Sequence, residues 1–362
     1  MDMSKRVINI GGGEPEFDTP PHIVEAMKRA LDEGHTHYGS FAGVPELKEA
    51  VAAKYDGYGV DVDPGRVLIT PGSTMGIYMA LKGIMEPGDG ILTADPCFFA
   101  YYSTFDFVGV KPVGFPRYEA EGWVVHPEDL VEAVTPKTKG ILICSPDNPT
   151  GAVLTDAEMK GIADLAVDHD LTVIADEIYD MITFDSAEHR SLASLPGMAE
   201  RTVILNGFSK AYAMTGWRLG YVIAPTEKLY RRLFGIQMST YLVVNAAVQR
   251  AGVAALTGSQ DCVREMVEAY DAKRRFCVDA YKGMDGVECA SPQGAMYVFP
   301  DVSSFGLSSS ELCGRLVEAG VSVRPGSDFG SRGEGHFRQS YAQSMADIRE
   351  GLERMAGAFE GL

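Results

Sequence analysis

The sequence predicts an α/β protein in two domains, and three observations carry that reading. Short apolar runs fit for buried strands recur at 66–70, 90–95, 110–115, 139–144, 171–176, 201–206 and 219–224, several separated by helical patterns. Such alternation builds a mostly parallel sheet flanked by helices, with a ligand site beyond the carboxyl ends of the strands. The 362 residues exceed what one core usually holds. Beyond about residue 255 the composition changes to short strands and turns, so a boundary is expected there.

In chain order, Thr19 and Pro20 resemble an N-cap and first turn for a helix whose face carries Ile23, Met27 and Leu31, with Gly34 as its stop. Pro45 to Tyr55 forms a second amphipathic helix. The strand at 66–70 runs into ProGlySerThr and a helical stretch, Met75 to Met85. Backbone N–H groups of Gly72, Ser73 and Thr74 would then lie at a helix N-terminus, either as a phosphate site or as a plain helix start. Thr155 and Glu158 have capping-box spacing ahead of a helix reaching Val167, and Ser308 and Glu311 repeat it. Residues 226–256 read as mostly helical, Gln260 to Tyr281 as one long amphipathic helix, and Ala346 to Phe359 as a last helix. Strands of a smaller sheet are expected at 291–300, 321–325 and 336–341.

Composition excludes several classes. A net charge of −18 opposes binding to a polyanion, so no nucleic-acid partner is expected. The six cysteines form no CxxC pair and no metal spacing with histidine, which points to reduced thiols in a cytoplasmic setting and to no metal. His35 and His37 lack a third ligand and read as loop residues. GlyGlyGlyGluPro at 11–15 fails the dinucleotide pattern, because position 16 is Glu. No leader-like or membrane-spanning apolar run is present in the sequence.

Chemistry concentrates at Asn206 to Tyr221, NGFSKAYAMTGWRLGY. Lys210, expected among Phe208, Tyr212 and Met214, would be partly desolvated, which favours the free amine as a carbonyl nucleophile; a solvated surface lysine is the alternative. Arg218 is a permanent planar cation suited to a phosphate, and an amine beside a phosphate anchor suggests pyridoxal phosphate. Asp176 closes a very apolar strand and needs a cationic partner, either a pyridinium N–H or a nearby arginine. Tyr179 and Asn148 offer hydrogen bonds from adjacent strand ends. Arg338 sits in a strand fit for burial and needs an anion, either a substrate carboxylate or a structural partner.

GEPEFDTP, HYGSFAGVPELKEAV, ProGlySerThr, SPDNPTGAV, DEIYD, SKAYAMTGWRLGY and FRQSYA follow one another in an order that resembles the pyridoxal-phosphate enzymes of the aspartate aminotransferase family. That resemblance implies a large cofactor domain at 35–255, a small domain at 256–362 with residues 1–34 packing on it, and a homodimer sharing its active sites. It implies transamination between an α-amino acid and a 2-oxo acid through a Schiff base on Lys210 and a proton shift. Another reaction of the same cofactor, by a lyase, decarboxylase, oxidase or cyclase, is the alternative. By the same resemblance Asp176 pairs with the pyridine nitrogen, Asn148 and Tyr179 bond the ring hydroxyl oxygen, and Phe98 stacks on the ring. Gly72, Ser73, Thr74, Ser209 and Arg218 surround the phosphate, and Tyr38 reaches in from the other subunit. Arg338 binds the α-carboxylate, with Gly13 offering a backbone N–H and Asn148 nearby. Two departures stand out. Gly207 replaces the Ser or Thr that many members place three residues before the lysine, and the chain starts only shortly before GEPEF. Phe17, Tyr38, Phe98 and the stretch 238–245 are candidate pocket walls, and Arg324 is a candidate second anion site.

Overall fold

The computed structural model describes residues 6–362, so the first residues of the stretch read above as lacking a leader lie outside it. The chain begins with β1 (Ile8–Asn9), α1 (Pro21–Asp32) and α2 (Pro45–Asp56). Alternation follows: β2 (Val67–Thr70), α3 (Ser73–Ile84), β3 (Gly90–Asp95), α4 (Phe99–Val108), β4 (Lys111–Pro116), α5 (Pro127–Ala133), β5 (Thr138–Cys144), α6 (Asp156–Asp168) and β6 (Thr172–Asp176). Then come β7 (Thr202–Gly207), β8 (Gly220–Ile223), α7 (Glu227–Thr240), α8 (Ala246–Thr257) and α9 (Asp261–Lys282). The chain ends with β9 (Tyr297–Val298), α10 (Ser309–Glu318), β10 (Val321–Ser322), β11 (Arg324–Pro325), β12 (Phe337–Ser340) and α11 (Met345–Phe359).

Seven strands form one sheet in the order β2-β8-β7-β6-β5-β3-β4. Only β8 runs against its neighbours; the other pairings are parallel. Strands β5, β6 and β7 are buried almost throughout, as expected where helices cover both faces. The parallel strands therefore end together, with Asp95, Cys144, Asp176 and Gly207 at one edge. The expected α/β class, with helices around a mostly parallel sheet and small sheets from the chain ends, is what the molecule has.

Differences from expectation are local and have physical causes. Thr19 does not cap α1, because its hydroxyl donates to the Ala213 carbonyl at 2.7 Å; Pro20 occupies the cap position. Both expected capping boxes are present, at Thr155 and at Ser308. The stretch 321–325 splits, since β10 pairs in parallel with β1 while β11 pairs with β12. Only Tyr297–Val298 of 291–300 joins a ladder. Residues 226–256 form two helices, broken where Leu242 takes a positive φ of 64°.

The expectation that 1–34 packs on the C-terminal elements needs correcting at α1. Ile8 and Ile10 do lie in the core that holds Tyr297, Phe337 and Leu352. Ile23 instead packs with Leu47, Val51 and Ala251, because the apolar face of α1 meets α8 and α2. Between the two regions, Glu16 is ion-paired with Lys273 of α9, whose ammonium lies over the Phe17 ring at 5.2 Å.

Beneath the strand ends lies a buried polar cluster. Asp180 accepts hydrogen bonds from Asn206 at 2.9 Å and Tyr58 at 3.0 Å and pairs with Lys54 at 2.5 Å. Glu177 accepts from Tyr55 at 2.9 Å and Ser191 at 2.7 Å. Removing Asp180 takes away the carboxylate that Lys54, Tyr58 and Asn206 share and leaves the largely buried Lys54 ammonium without its counter-charge. Asp180→Ala should therefore lower unfolding free energy by about 3–5 kcal/mol, read from the shift in urea midpoint. A shift under 1 kcal/mol would show that the cluster is solvated and dispensable.

Candidate active site

A cavity of about 270 Å³ opens at the carboxyl edge of the sheet, roofed by the C-terminal elements. It gathers Lys210, Asp176, Tyr179, Asn148, Arg218 and Arg338, which are scattered over 190 positions from Asn148 to Arg338. Ser73, Thr74, Phe98, Ser209 and Gly13 also face it.

Lys210 follows β7 in the segment that returns as β8, and its Nζ donates to the Gly13 carbonyl at 2.5 Å. The contact made by Gly13 is thus its carbonyl, whereas the expectation concerned its N–H. Phe208, Tyr212 and Met214 do not surround the amine. They turn into the core beside Val67 and Leu219, with the Tyr212 hydroxyl bonded to Gln260 at 2.9 Å. Ser209, Thr215 and Gly13 are the cavity residues nearest Lys210 in the chain or in contact with it.

Asp176 ends β6 and is buried. Its Oδ2 accepts from the Tyr101 hydroxyl at 2.7 Å and its Oδ1 from the Ile178 N–H at 3.3 Å. No lysine or arginine pairs with it among the described residues. Burial pushes its pKa up to about 6 against the opposing pull of the Tyr101 and Ile178 hydrogen bonds. The structural alternative, a salt bridge to arginine, is not what the site contains.

Arg218 has a positive φ of 54° and donates to the Thr215 carbonyl at 2.8 Å and the Pro71 carbonyl at 3.4 Å, with no carboxylate partner among the described residues. It lies against the start of α3, where Gly72 is the cap residue and no side chain caps the helix. A Cβ on Gly72 would come within 2.4 Å of the Arg218 guanidinium, and one on Gly220 within 2.8 Å of the Ser73 nitrogen. Gly220 is required by that backbone contact, and Gly72 is favoured by its positive φ of 85°. Gly207 has a similar cause. It pairs with Gly220 across β7 and β8, and a Cβ there would sit 3.0 Å from the Leu219 carbonyl oxygen.

Arg338 on β12 is buried and has no acidic partner among the described residues. It donates to Asn148 Oδ1 at 2.9 Å and to the Gly11 carbonyl at 2.8 Å, while its buried Nε has no partner. Its guanidinium lies 4.2 Å from the Tyr297 ring centroid and 5.0 Å from that of Phe329. Desolvation lowers its pKa from the usual arginine value, so an anion brought here would be held strongly. Tyr179 and Tyr297 share a hydrogen bond of 2.9 Å, and the Asn148 amide reaches the Tyr179 hydroxyl at 3.4 Å. Burial, then the neighbouring Tyr297, raise the Tyr179 pKa well above the ordinary phenol value.

One expected residue of this chain does not line the cavity: Gly72 is the helix cap beside it. Tyr38, expected from the other subunit, is 76% exposed and does not line the cavity of its own chain. Two residues that sequence reasoning missed are central, Tyr101 and Tyr297. Arg324, a candidate second anion site, already pairs with Asp328 at 2.7 Å and lies over the Phe99 ring.

The description "Aminotransferase class I and II" belongs to the family model that matches residues 5–355. An aspartate aminotransferase of Pyrococcus horikoshii is 40% identical over 361 residues, covering 98% of this chain and 91% of its own. An aromatic-amino-acid aminotransferase 2 of Thermococcus litoralis is 41% identical over 354 residues, with 96% and 90% covered. The crystal structure of an aromatic aminotransferase from Pyrococcus horikoshii superposes with a TM-score of 0.95 at 40% identity, covering 98% of this chain and 96% of that one. No helix among the described residues is long and apolar enough to cross a membrane. By sequence, fold and site, the chain belongs to the class I and II aminotransferases, enzymes that use pyridoxal 5'-phosphate to move an amino group between an amino acid and an oxo acid.

Proposed function

We propose that the amino group changes carriers in this cavity, with Lys210 as the reactive amine and proton carrier, Asp176 and Tyr179 completing the catalytic set. One observation supports this most directly: among the described residues Asp176 is a buried carboxylate lacking a cation, while Lys210, Arg218 and Arg338 around the same space lack carboxylate partners. Such a set matches a ligand with a protonated ring nitrogen, a phosphate and a carboxylate.

Pyridoxal 5'-phosphate, when bound, supplies an aldehyde and a ring able to accept electrons. Asp176 would hold the ring nitrogen protonated, with Tyr101 fixing the orientation of its carboxylate. Arg218, Ser73, Thr74 and Ser209, beside the open N-terminus of α3 at Gly72, would hold the phosphate. Phe98 would cover one ring face. Tyr179 and Asn148 would hydrogen-bond the ring hydroxyl oxygen. Arg338 would grip the substrate α-carboxylate beside Gly13, through the Nη groups now on Asn148 and Gly11. Lys210, released from its ligand role, would take a proton from the substrate Cα and return it elsewhere on the ligand.

We assign the cofactor lobe to 35–255 and the roofing lobe to 256–362, with two copies forming the working unit. Tyr38 and Phe107 are 76% and 78% exposed, and the Tyr38 ring lies 6.3 Å from that of Phe41, exposed apolar surface of the kind a second copy would cover. That contact would bring Tyr38 to the partner's phosphate site. A cytoplasmic setting belongs to the same reading, since none of the six cysteines is placed in a disulfide. Phe98 and Phe99 line the cavity, and Arg324 is already neutralised, so amino donors with aromatic or aliphatic side chains should be preferred over aspartate.

The test is a donor panel with and without a 2-oxo acid acceptor, run on a preparation whose mass is measured by sedimentation. One oxo acid should form per amino acid made, from a dimer, fastest with apolar donors. Sustained turnover without acceptor would overturn transamination, and full turnover by a monomer would overturn the shared site.

A further inference from the structure

His336 lies two residues before Arg338 and outside the cavity. Its ring stacks on Phe299 at 4.9 Å and packs against Trp123 at 5.3 Å. Its Nδ1 is 3.1 Å from the Glu334 carbonyl, an acceptor only, so Nδ1 carries a hydrogen. Its Nε2 is 2.8 Å from Glu119 Oε2, also an acceptor. With Glu119 ionised, both ring nitrogens face acceptors, and only the imidazolium then satisfies both at once. Glu119 follows β4, the edge strand of the seven-stranded sheet, whereas His336 leads into β12.

A metal ion is the rival occupant, since Glu119, Asp301 and His336 offer ligand atoms within 4.8 Å of one another. Ligands of a tetrahedral zinc with bonds of about 2.0–2.1 Å stand roughly 3.3 Å apart, so the 2.8 Å separation fits a bridging proton better.

We propose that the proton held between His336 and Glu119 pins β12 to the edge of the large sheet and so positions Arg338 for the substrate carboxylate. His336 and Glu119 are positioning residues, touching neither substrate nor cofactor. The charged and titratable groups facing the ring are Glu119 from the segment after β4, Asp301 from the segment after β9 and Glu334 from its own turn. The Glu334 side chain is turned away, accepting from the Ser309 N–H at 2.7 Å. Behind Glu119 stands the Cys289 thiol. Burial disfavours the imidazolium, but the Glu119 hydrogen bond and charge, with Glu334 and Asp301, outweigh it and raise the pKa. The sign follows. A raised folded pKa means the pin is fully formed below the ordinary histidine value of about 6.5 and is lost as pH rises through the raised value.

This inference rests on the assignment of Arg338 to the carboxylate, so the experiment separates the two. Histidine side-chain NMR of the holoenzyme, with His336 assigned by His336→Gln, gives the midpoint directly, and Glu119→Gln should lower it. In parallel, the dissociation constant of 3-phenylpropionate is measured from about pH 6 to 9. The wild type should bind about 3- to 10-fold more weakly above the NMR midpoint, a span of roughly 0.6–1.4 kcal/mol by RT ln K. Glu119→Gln and His336→Gln should bind weakly throughout, lack that step, and keep kcat within about twofold. A midpoint unmoved by Glu119→Gln, or an affinity step that survives both substitutions, would overturn the pin. If Arg338→Gln leaves carboxylate affinity intact while Glu119→Gln still shifts the midpoint, the Arg338 assignment and the positioning consequence fall together and only the proton bridge stands.

Discussion

Lys210→Ala should lower turnover by at least about 10⁴-fold, because one substitution removes both the nucleophile and the proton carrier. The fold should survive it. Lys210 is only partly buried, and among the described residues its side chain makes one hydrogen bond, to the Gly13 carbonyl. The melting temperature of the cofactor-free variant should therefore stay near that of the parent. Steady-state oxo acid formation gives the first number. Mass spectrometry after borohydride reduction gives an independent one, since the parent should retain the cofactor on a peptide containing Lys210 and the variant should not. Turnover within tenfold of the parent would remove Lys210 from the chemistry altogether. An externally added small amine should restore part of the proton transfer but not the covalent mass.

Asp176→Asn should separate stability from activity. The ionised carboxylate is buried with only the Tyr101 hydroxyl and the Ile178 N–H for company, and its pKa rises from 3.8 to about 6. Roughly two units correspond to about 3 kcal/mol of penalty on the charged form. A carboxyl whose folded pKa is raised contributes its stability below the unfolded value and loses it as pH climbs through about 6. The cofactor-free parent thus carries the penalty at pH 8, and the neutral amide does not. The variant should melt higher than the parent without cofactor at pH 8, yet turn over at least about 10²- to 10³-fold more slowly. Cofactor affinity in the parent should also increase as pH passes about 6, where Asp176 ionises. Phosphate ionises in the same range, at about 6. The part of that increase missing from the asparagine variant isolates the contribution of Asp176. A variant as active as the parent would mean that the ring nitrogen has another partner.

Much of the site was legible because its chemistry falls where sequence patterns end. Asp176, Asn148 and Lys210 each follow an apolar run, and a polar residue at the end of a buried strand is conspicuous. Tyr101 and Tyr297 were not legible. In PheAlaTyrTyrSerThrPhe a tyrosine reads as one more apolar aromatic, and in AlaMetTyrValPhe it reads as a strand residue. Their roles come from partners 75 and 118 positions away, and no local pattern encodes such pairings. The aromatic density that hid Tyr101 also hid α4. Phe208, Tyr212 and Met214 were misassigned for the opposite reason, since proximity in sequence to Lys210 does not fix which side of the turn a side chain takes. The split of 321–325 between two sheets follows from tertiary pairing, with β1 at the opposite end of the chain and with β12 just downstream, and no pattern within 321–325 encodes it.

The reversal of β8 has a mechanical consequence. The segment bearing the amine leaves the sheet on β7 and rejoins it on the adjoining strand, and the Phe208 N–H to Leu219 carbonyl bond of 3.1 Å closes its base. It is a stapled loop, riding on two wholly buried strands inside the seven-stranded sheet. The guanidinium at 338 belongs to a separate small ribbon. If that ribbon swings, the anvil stays still and only the hammer moves, so substrate entry can be loose without blurring the aim of the nucleophile.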